Sequence, residues 1–324
     1  MFLNSSKLLF LSFMTVGVII SFSCNSWIMI WFGMELFLMS FIPYFCFHSF
    51  VSSECSMSYF LIQGLSSSLF VFCILFILLN DLFVLKSFVC FSLLLKLGCA
   101  PFHNWVMSVV SGMSYDSLFI FFSFSSLPPF FLLSYILYDF SFFVLLSLFF
   151  GSVGGLNHSS LKKLLGFSSV FNMGFLIYLI NLSSLWIFYF FCYSLMVFFL
   201  VYFFHFYNLI YLNHFFVCGM NLFCKISFWI LFLSLGGIPP MFGFFVKLVV
   251  IELSIFLMDY FVSFFFVIFS LIVMFYYIRC SFVSLVLFSF VLKWSFFFIN
   301  YWLSLFCFFS LFVFPFCFIL SGLV

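Results

Sequence analysis

The sequence predicts an all-α polytopic membrane protein, and two observations carry that prediction. Hydrophobic residues make up 68% of the 324 and charged residues only 5%, with a mean hydropathy of +1.46, where a soluble globular chain carries about 25% charge. Seven acidic and nine basic side chains cannot cover a water-facing surface. The second observation is that apolar runs of about 20 residues, the length a helix needs to cross a bilayer, recur along the whole chain.

Segmenting at charges, Asn, Ser clusters and Pro places about eleven such helices. They fall at 8–24, 26–47, 58–79, 82–112, 116–138, 140–157, 166–181, 185–212, 225–250, 258–279 and 297–322. The run 8–24 lacks an A-x-A-like exit and leads almost directly into the next run, so it reads as a retained first span. The stretch 280–296 is expected to be an interfacial loop, because it is short and carries Lys293. Connections are too short to hold an extramembrane domain, and residues 1–324 are expected to form a single transmembrane domain.

Composition also excludes several function classes. The 68 phenylalanines follow from apolarity alone, since lipid accepts Phe as readily as Leu, and no function is read from them. The twelve cysteines contain no C-x-x-C pair, so iron–sulfur and zinc spacings are absent. Five histidines offer no paired ligands on one helix face; His205 and His214 are nine residues apart. No haem, copper or other cofactor is expected to be held by this chain. A net charge of +2 is too small to imply a nucleic-acid partner.

The charges sort by depth. Lys7, Glu54, Asp81, Asp116, Asp139, Lys162, Lys163, Lys225, Asp259, Arg279 and Lys293 lie at expected helix ends, and Lys86 and Glu252 lie close enough to snorkel. Glu35, Lys96 and Lys247 remain inside apolar segments. A charge at the bilayer centre costs about 2.5–3.5 kcal/mol and marks a protein interior or a water path. Structural ion pairing is the plain reading of the three, and proton handling is the functional one.

Both lysines stand beside helix breakers. Gly98 and Pro101 follow Lys96 in KLGCAPFHNW, whereas Gly236, Gly237, Pro239 and Pro240 precede Lys247 in LSLGGIPPMFGFFVK. Proline removes a donor and glycine permits the bend, and in a membrane such backbone persists only where protein or a wet cavity satisfies it. The order of lysine and break is reversed between the two segments. Two discontinuous helices in inverted repeats point to the transporter class. A buried lysine loses proton affinity by desolvation and regains it from a nearby carboxylate, a role that Glu35 in GMELFLMSFIP can fill.

These stretches, with YFLIQGLSSSLF and GGLNHSSLKKLLGFSSVFNMGF, resemble the chain 2 family of NADH:ubiquinone oxidoreductase, the antiporter-like membrane subunits of respiratory complex I. The matching pieces run in the family's order from residue 27 to 247. The resemblance implies a membrane-arm subunit in the mitochondrial inner membrane that contributes to proton translocation. It also implies other membrane-arm subunits and lipids as partners, with no soluble substrate bound directly. Flavin and iron–sulfur clusters, with NADH oxidation and ubiquinone reduction, are then expected in partner subunits. By that resemblance Glu35 pairs with Lys96 on the first broken helix, and Lys247 belongs to the second.

This chain departs from the family pattern at two places. FSSLPP puts Ser126 where the family carries a relay lysine, and SSVFNMGF puts Asn172 where it often carries a histidine. Serine cannot hold a proton as a stable cation. A path through water and hydroxyls, with His103, Ser126 and Asn172 as relay candidates, is one reading. A structural spacer subunit with an impaired path is the alternative, and a stand-alone cation/proton antiporter is a third. His103 matches a family histidine and is equally suited to carry a proton or to hydrogen-bond carbonyls freed by the break.

Overall fold

The computed structural model describes residues 5–46, 50–79, 83–136, 138–180, 185–214 and 222–286, with backbone alone for 78–79, 83–84, 222–225 and 283–286. Among these the regular structure is helical, apart from one isolated antiparallel bridge between Ser160 and Tyr211. Among the described residues, seven helices are long and apolar enough, by length and composition, to cross a membrane.

The chain divides into two compact units, residues 1–143 with 180–183, and residues 144–179 with 184–324. The first holds α1 (Ser5–Ser23), α2 (Trp27–Cys46), α3 (Phe50–Leu79), α4 (Phe83–Leu97), α5 (Asn104–Gly112), α6 (Tyr115–Ser123) and α7 (Leu127–Leu133). The second holds α8 (Ser141–Leu156), which begins in the first, then α9 (Leu161–Ile180) and α10 (Leu185–Tyr207). It ends with α11 (Leu222–Gly236), α12 (Phe242–Phe256) and α13 (Tyr260–Val286).

These helices form although serine is scattered through them, because most of the hydroxyls turn back on their own helix. Ser21 donates to the Val18 carbonyl at 2.6 Å, Ser66 to Gln63 at 2.8 Å and Ser147 to Val144 at 2.9 Å. A hydroxyl satisfied this way no longer exposes a donor to lipid.

The same device explains a departure from expectation. The span placed at 58–79 begins eight residues earlier, because the serines of FVSSECSMS close on carbonyls instead of forming a loop. Ser53 donates to Phe50 at 2.6 Å and Ser56 to Ser53 at 2.7 Å, and Glu54 is exposed within this first part of α3. The loop expected at 280–296 is corrected likewise. Helix α13 continues to Val286, so Arg279 lies inside the helix and not at its end. Cys280–Val286 is apolar apart from Ser281 and Ser284, and Ser281 donates to the Ile278 carbonyl at 2.7 Å. Residues 287–296 and the span expected at 297–322 lie outside the described residues.

Each unit is packed around aromatic rings. In the first, Tyr59 of α3 meets Phe41 of α2 at 5.4 Å, Trp105 of α5 at 6.0 Å and Phe121 of α6 at 6.1 Å. In the second, Phe175 of α9 stacks on Phe266 of α13 at 4.5 Å and on Tyr189 of α10 at 5.9 Å. Such tilted and offset pairs add roughly 0.5–1.5 kcal/mol each beyond the area they bury.

Candidate functional site

Two helices are interrupted at the segments the glycines and prolines mark, one in each unit. In the first unit α4 stops at Leu97 and α5 starts at Asn104; in the second, α11 stops at Gly236 and α12 starts at Phe242. Both stops have the same geometry. Gly98 has φ +69° and Gly237 has φ +84°, a left-handed conformation that costs a side-chain-bearing residue about 1–2 kcal/mol. Cys99 N–H donates to the Leu94 carbonyl and Gly98 N–H to Leu95, both at 3.2 Å. Ile238 N–H donates to Leu233 and Gly237 N–H to Ser234, again at 3.2 Å. Each is a Schellman termination, which leaves the last carbonyls of the half-helix in need of donors.

Different side chains fill that need. In the first unit Gln63 of α3 reaches across and donates Nε2–H to the Lys96 carbonyl at 3.0 Å. In the second, Lys247 of α12 folds back and donates from Nζ to both Leu235 and Gly236 carbonyls at 2.9 Å. A cation there also meets the negative end of the half-helix. The Phe171 ring, with its centroid 5.5 Å from Nζ, adds a cation–π contact.

Lys96 is buried, and its partner is Glu35 of α2, with Nζ 3.6 Å from Oε1. The distance is at the outer edge of hydrogen bonding, so Coulomb attraction holds the pair. At an effective dielectric of about 20, that attraction is about 4–5 kcal/mol before the cost of removing both charges from water. Glu35 keeps 20% of its side chain exposed and Lys96 only 4%, so the carboxylate is the wetter partner.

His103 is buried at the start of α5, as its N-cap residue. Ser126 is buried too, and its hydroxyl turns on the carbonyls of Phe122 and Ser123 at 3.0 and 3.1 Å. It sits at an interruption the sequence reading placed inside one span, between α6 and α7, where Pro128 and Pro129 open the second piece. The signal was present in the Pro-Pro pair.

Asn172 lies about 16 Å from the start of α9, counting 1.5 Å per residue. Its Oδ1 accepts from Tyr189 Oη at 2.8 Å and its Nδ2 donates to the Ser168 carbonyl at 2.8 Å. It lines a cavity of about 20 Å³ with Tyr189, Tyr193, Ser234, Gly243 and Lys247. One water needs roughly 10–15 Å³, so the cavity has room for it. The structure thus brings Glu35 to Lys96, and Asn172 to the neighbourhood of Lys247. The sequence reading did not single out Gln63 or the tyrosines. A lone amide in an apolar helix was the available sign of the first; no sequence sign marks the second.

A lysine on each of two broken helices, one ion-paired and one held on helix-end carbonyls, defines a membrane carrier subunit of the antiporter type. Residues 24–273 match the family NADH:quinone oxidoreductase/Mrp antiporter, TM. NADH-ubiquinone oxidoreductase chain 2 of Anopheles gambiae is 36% identical over 290 residues, covering 86% of this chain and 85% of its own. That of Aedes aegypti is 34% identical over 290 residues, with coverage of 86% and 85%. A chain of respiratory complex I from Thermus thermophilus with bound aureothin shares the fold, with TM-score 0.81 at 18% identity over 94% of this chain and 75% of its own. The chain belongs to the NADH-ubiquinone oxidoreductase chain 2 family. It is a membrane-embedded, multi-span subunit of that enzyme.

Proposed function

We propose that this chain carries protons across the mitochondrial inner membrane as one unit of complex I, driven by redox chemistry in its partner subunits. Other membrane-arm subunits and lipids cover its exposed apolar faces, and flavin and iron–sulfur clusters reside in partners. The observation that carries the reading is the pair of buried ammonium groups at matching helix terminations. Lys96 and Lys247 hold the proton on Nζ, and Glu35 sets how firmly Lys96 holds its own. When the Glu35 carboxylate moves away from Lys96, the lone buried cation is left uncompensated and its proton departs. His103, Ser126 and Asn172 orient water or hydroxyls along the route.

The test is Lys96→Met in the assembled complex, reconstituted in vesicles, with protons moved per NADH oxidised as the readout. A lower ratio is expected. An unchanged ratio in a fully assembled complex rules Lys96 out as a carrier.

One observation favours a second reading, a spacer subunit. The Ser126 hydroxyl is committed to two backbone carbonyls, so it cannot donate onward without breaking that contact. In a spacer, the Lys96→Met ratio stays at the wild-type value and only assembly suffers.

A further inference from the structure

Three tyrosine hydroxyls in the second unit are buried without a hydrogen-bond partner among the described residues: Tyr193, Tyr276 and Tyr277. Tyr276 and Tyr277 are fully buried and Tyr193 is 5% exposed. Buried tyrosine hydroxyls ordinarily find partners. In a chain with 68 Phe against 15 Tyr, a phenyl ring would fill the same space without an orphaned oxygen.

Their positions are ordered. Tyr193 lines the cavity that Lys247 and Asn172 also line, and its hydroxyl makes no hydrogen bond among the described residues. Tyr277 packs beside Gly236, whose carbonyl Lys247 holds, and its ring centroid lies 4.7 Å from that of Tyr276. The Tyr276 ring lies against Gly155, close enough that a Cβ there would come within 2.8 Å of it. Gly155 is in the last turn of α8, next to the turn that carries Asn157 and His158 and leads into Lys162 and Lys163 of α9.

We infer that Tyr193, Tyr277 and Tyr276, with water in the cavity beside Lys247, form a hydroxyl path for protons from Lys247 to the α8–α9 end of this unit. The inference rests on the proton-carrying reading above. Each step is balanced: the oxygen of one hydroxyl or water takes a proton from behind and releases its own ahead, so only N–H and O–H bonds break and form. Asn172 is a positioning residue. Tyr189 and the Ser168 carbonyl fix its amide, and its remaining oxygen lone pair is available to a cavity water. The histidine expected from the family is thereby replaced by an anchor that holds water and does not itself titrate.

The test uses the whole complex in vesicles, with Tyr193→Phe, Tyr277→Phe and Tyr276→Phe as separate variants that preserve ring packing. Tyr202→Phe, exposed on α10, is the control, and Lys247→Met is run in parallel. Proton translocation is measured in H₂O and D₂O. The expected result is a fall of about tenfold or more for the three path tyrosines, with an altered solvent isotope effect, and no change for Tyr202→Phe. If one variant fails to assemble, the other two carry the test. Normal translocation in the tyrosine variants while Lys247→Met is impaired overturns the path alone. Normal translocation in all, Lys247→Met included, overturns the proton-carrying reading as well. A loss with an unaltered isotope effect marks damaged packing and also overturns the path.

Discussion

Replacing Lys247 with methionine separates chemistry from architecture. The substitution removes two charge-assisted bonds, to Leu235 and Gly236 at 2.9 Å. Leaving two buried carbonyls unsatisfied costs about 1–3 kcal/mol each. Against this, withdrawing a cation from the membrane interior returns about 2.5–3.5 kcal/mol. Near the middle of those ranges the net loss is about 1 kcal/mol, and the unfavourable extreme is a loss of about 3–4 kcal/mol. The thioether fills much of the same volume and keeps contact with the Phe171 ring. The variant complex is therefore expected to assemble with a melting temperature close to wild type, yet translocate fewer protons per NADH oxidised. Lys247→Arg should also fail, because guanidinium keeps its charge but does not release a proton. Wild-type proton transfer in an assembled Lys247→Met complex would refute the assignment of this lysine as a carrier.

Gly237→Ala forces a side chain into φ +84° and puts its Cβ 3.1 Å from Nζ and Cδ of Lys247. The left-handed conformation alone costs about 1–2 kcal/mol, and the crowding pushes the amine off its carbonyls. A lower melting temperature together with reduced translocation is expected; a variant normal in both rejects the crowding argument. A pH effect is expected at the turn between α8 and α9. Burial, and then the nearby Lys163 charge, hold the His158 imidazole below its ordinary value, and the ring stacks on Phe167 at 5.0 Å. The neutral ring favours the folded state, so its contribution is intact above about pH 6.5 and fades as pH falls below that. Thermal unfolding against pH should show this in the wild type and not in His158→Gln; identical profiles count against it.

What the sequence disclosed followed the range of the forces involved. Gly98, Pro101, Gly236, Gly237, Pro239 and Pro240 act on the backbone where they stand, so both interruptions were legible at residue level. The start of α3 was misplaced because serine was read as a loop former, and the end of α13 because the stretch after Arg279 is short and carries Lys293. In lipid, with no water to compete, Ser53, Ser56 and Ser281 bond their own helix instead. The interruption at Ser126 was masked by the apolar residues around Pro128 and Pro129, which made one continuous span. The bond from Gln63 to the Lys96 carbonyl joins residues 33 apart. The tyrosines that meet Asn172 and Lys247 at the cavity, Tyr189 and Tyr193, come from α10. No local pattern encodes such meetings.

The seat of Lys247 has a consequence for how energy is delivered. An ammonium group has three N–H bonds, and a neutral amine keeps two. Two are pinned to Leu235 and Gly236, so one is left over, and in the proposed proton transfer that one alone is traded. The half-helix end stays tied whether the nitrogen is charged or not. Proton passage then needs no hinge, rotation or rewinding at Gly237. Whatever drives it acts as a shift of nearby charge, as in an electrical relay with fixed contacts.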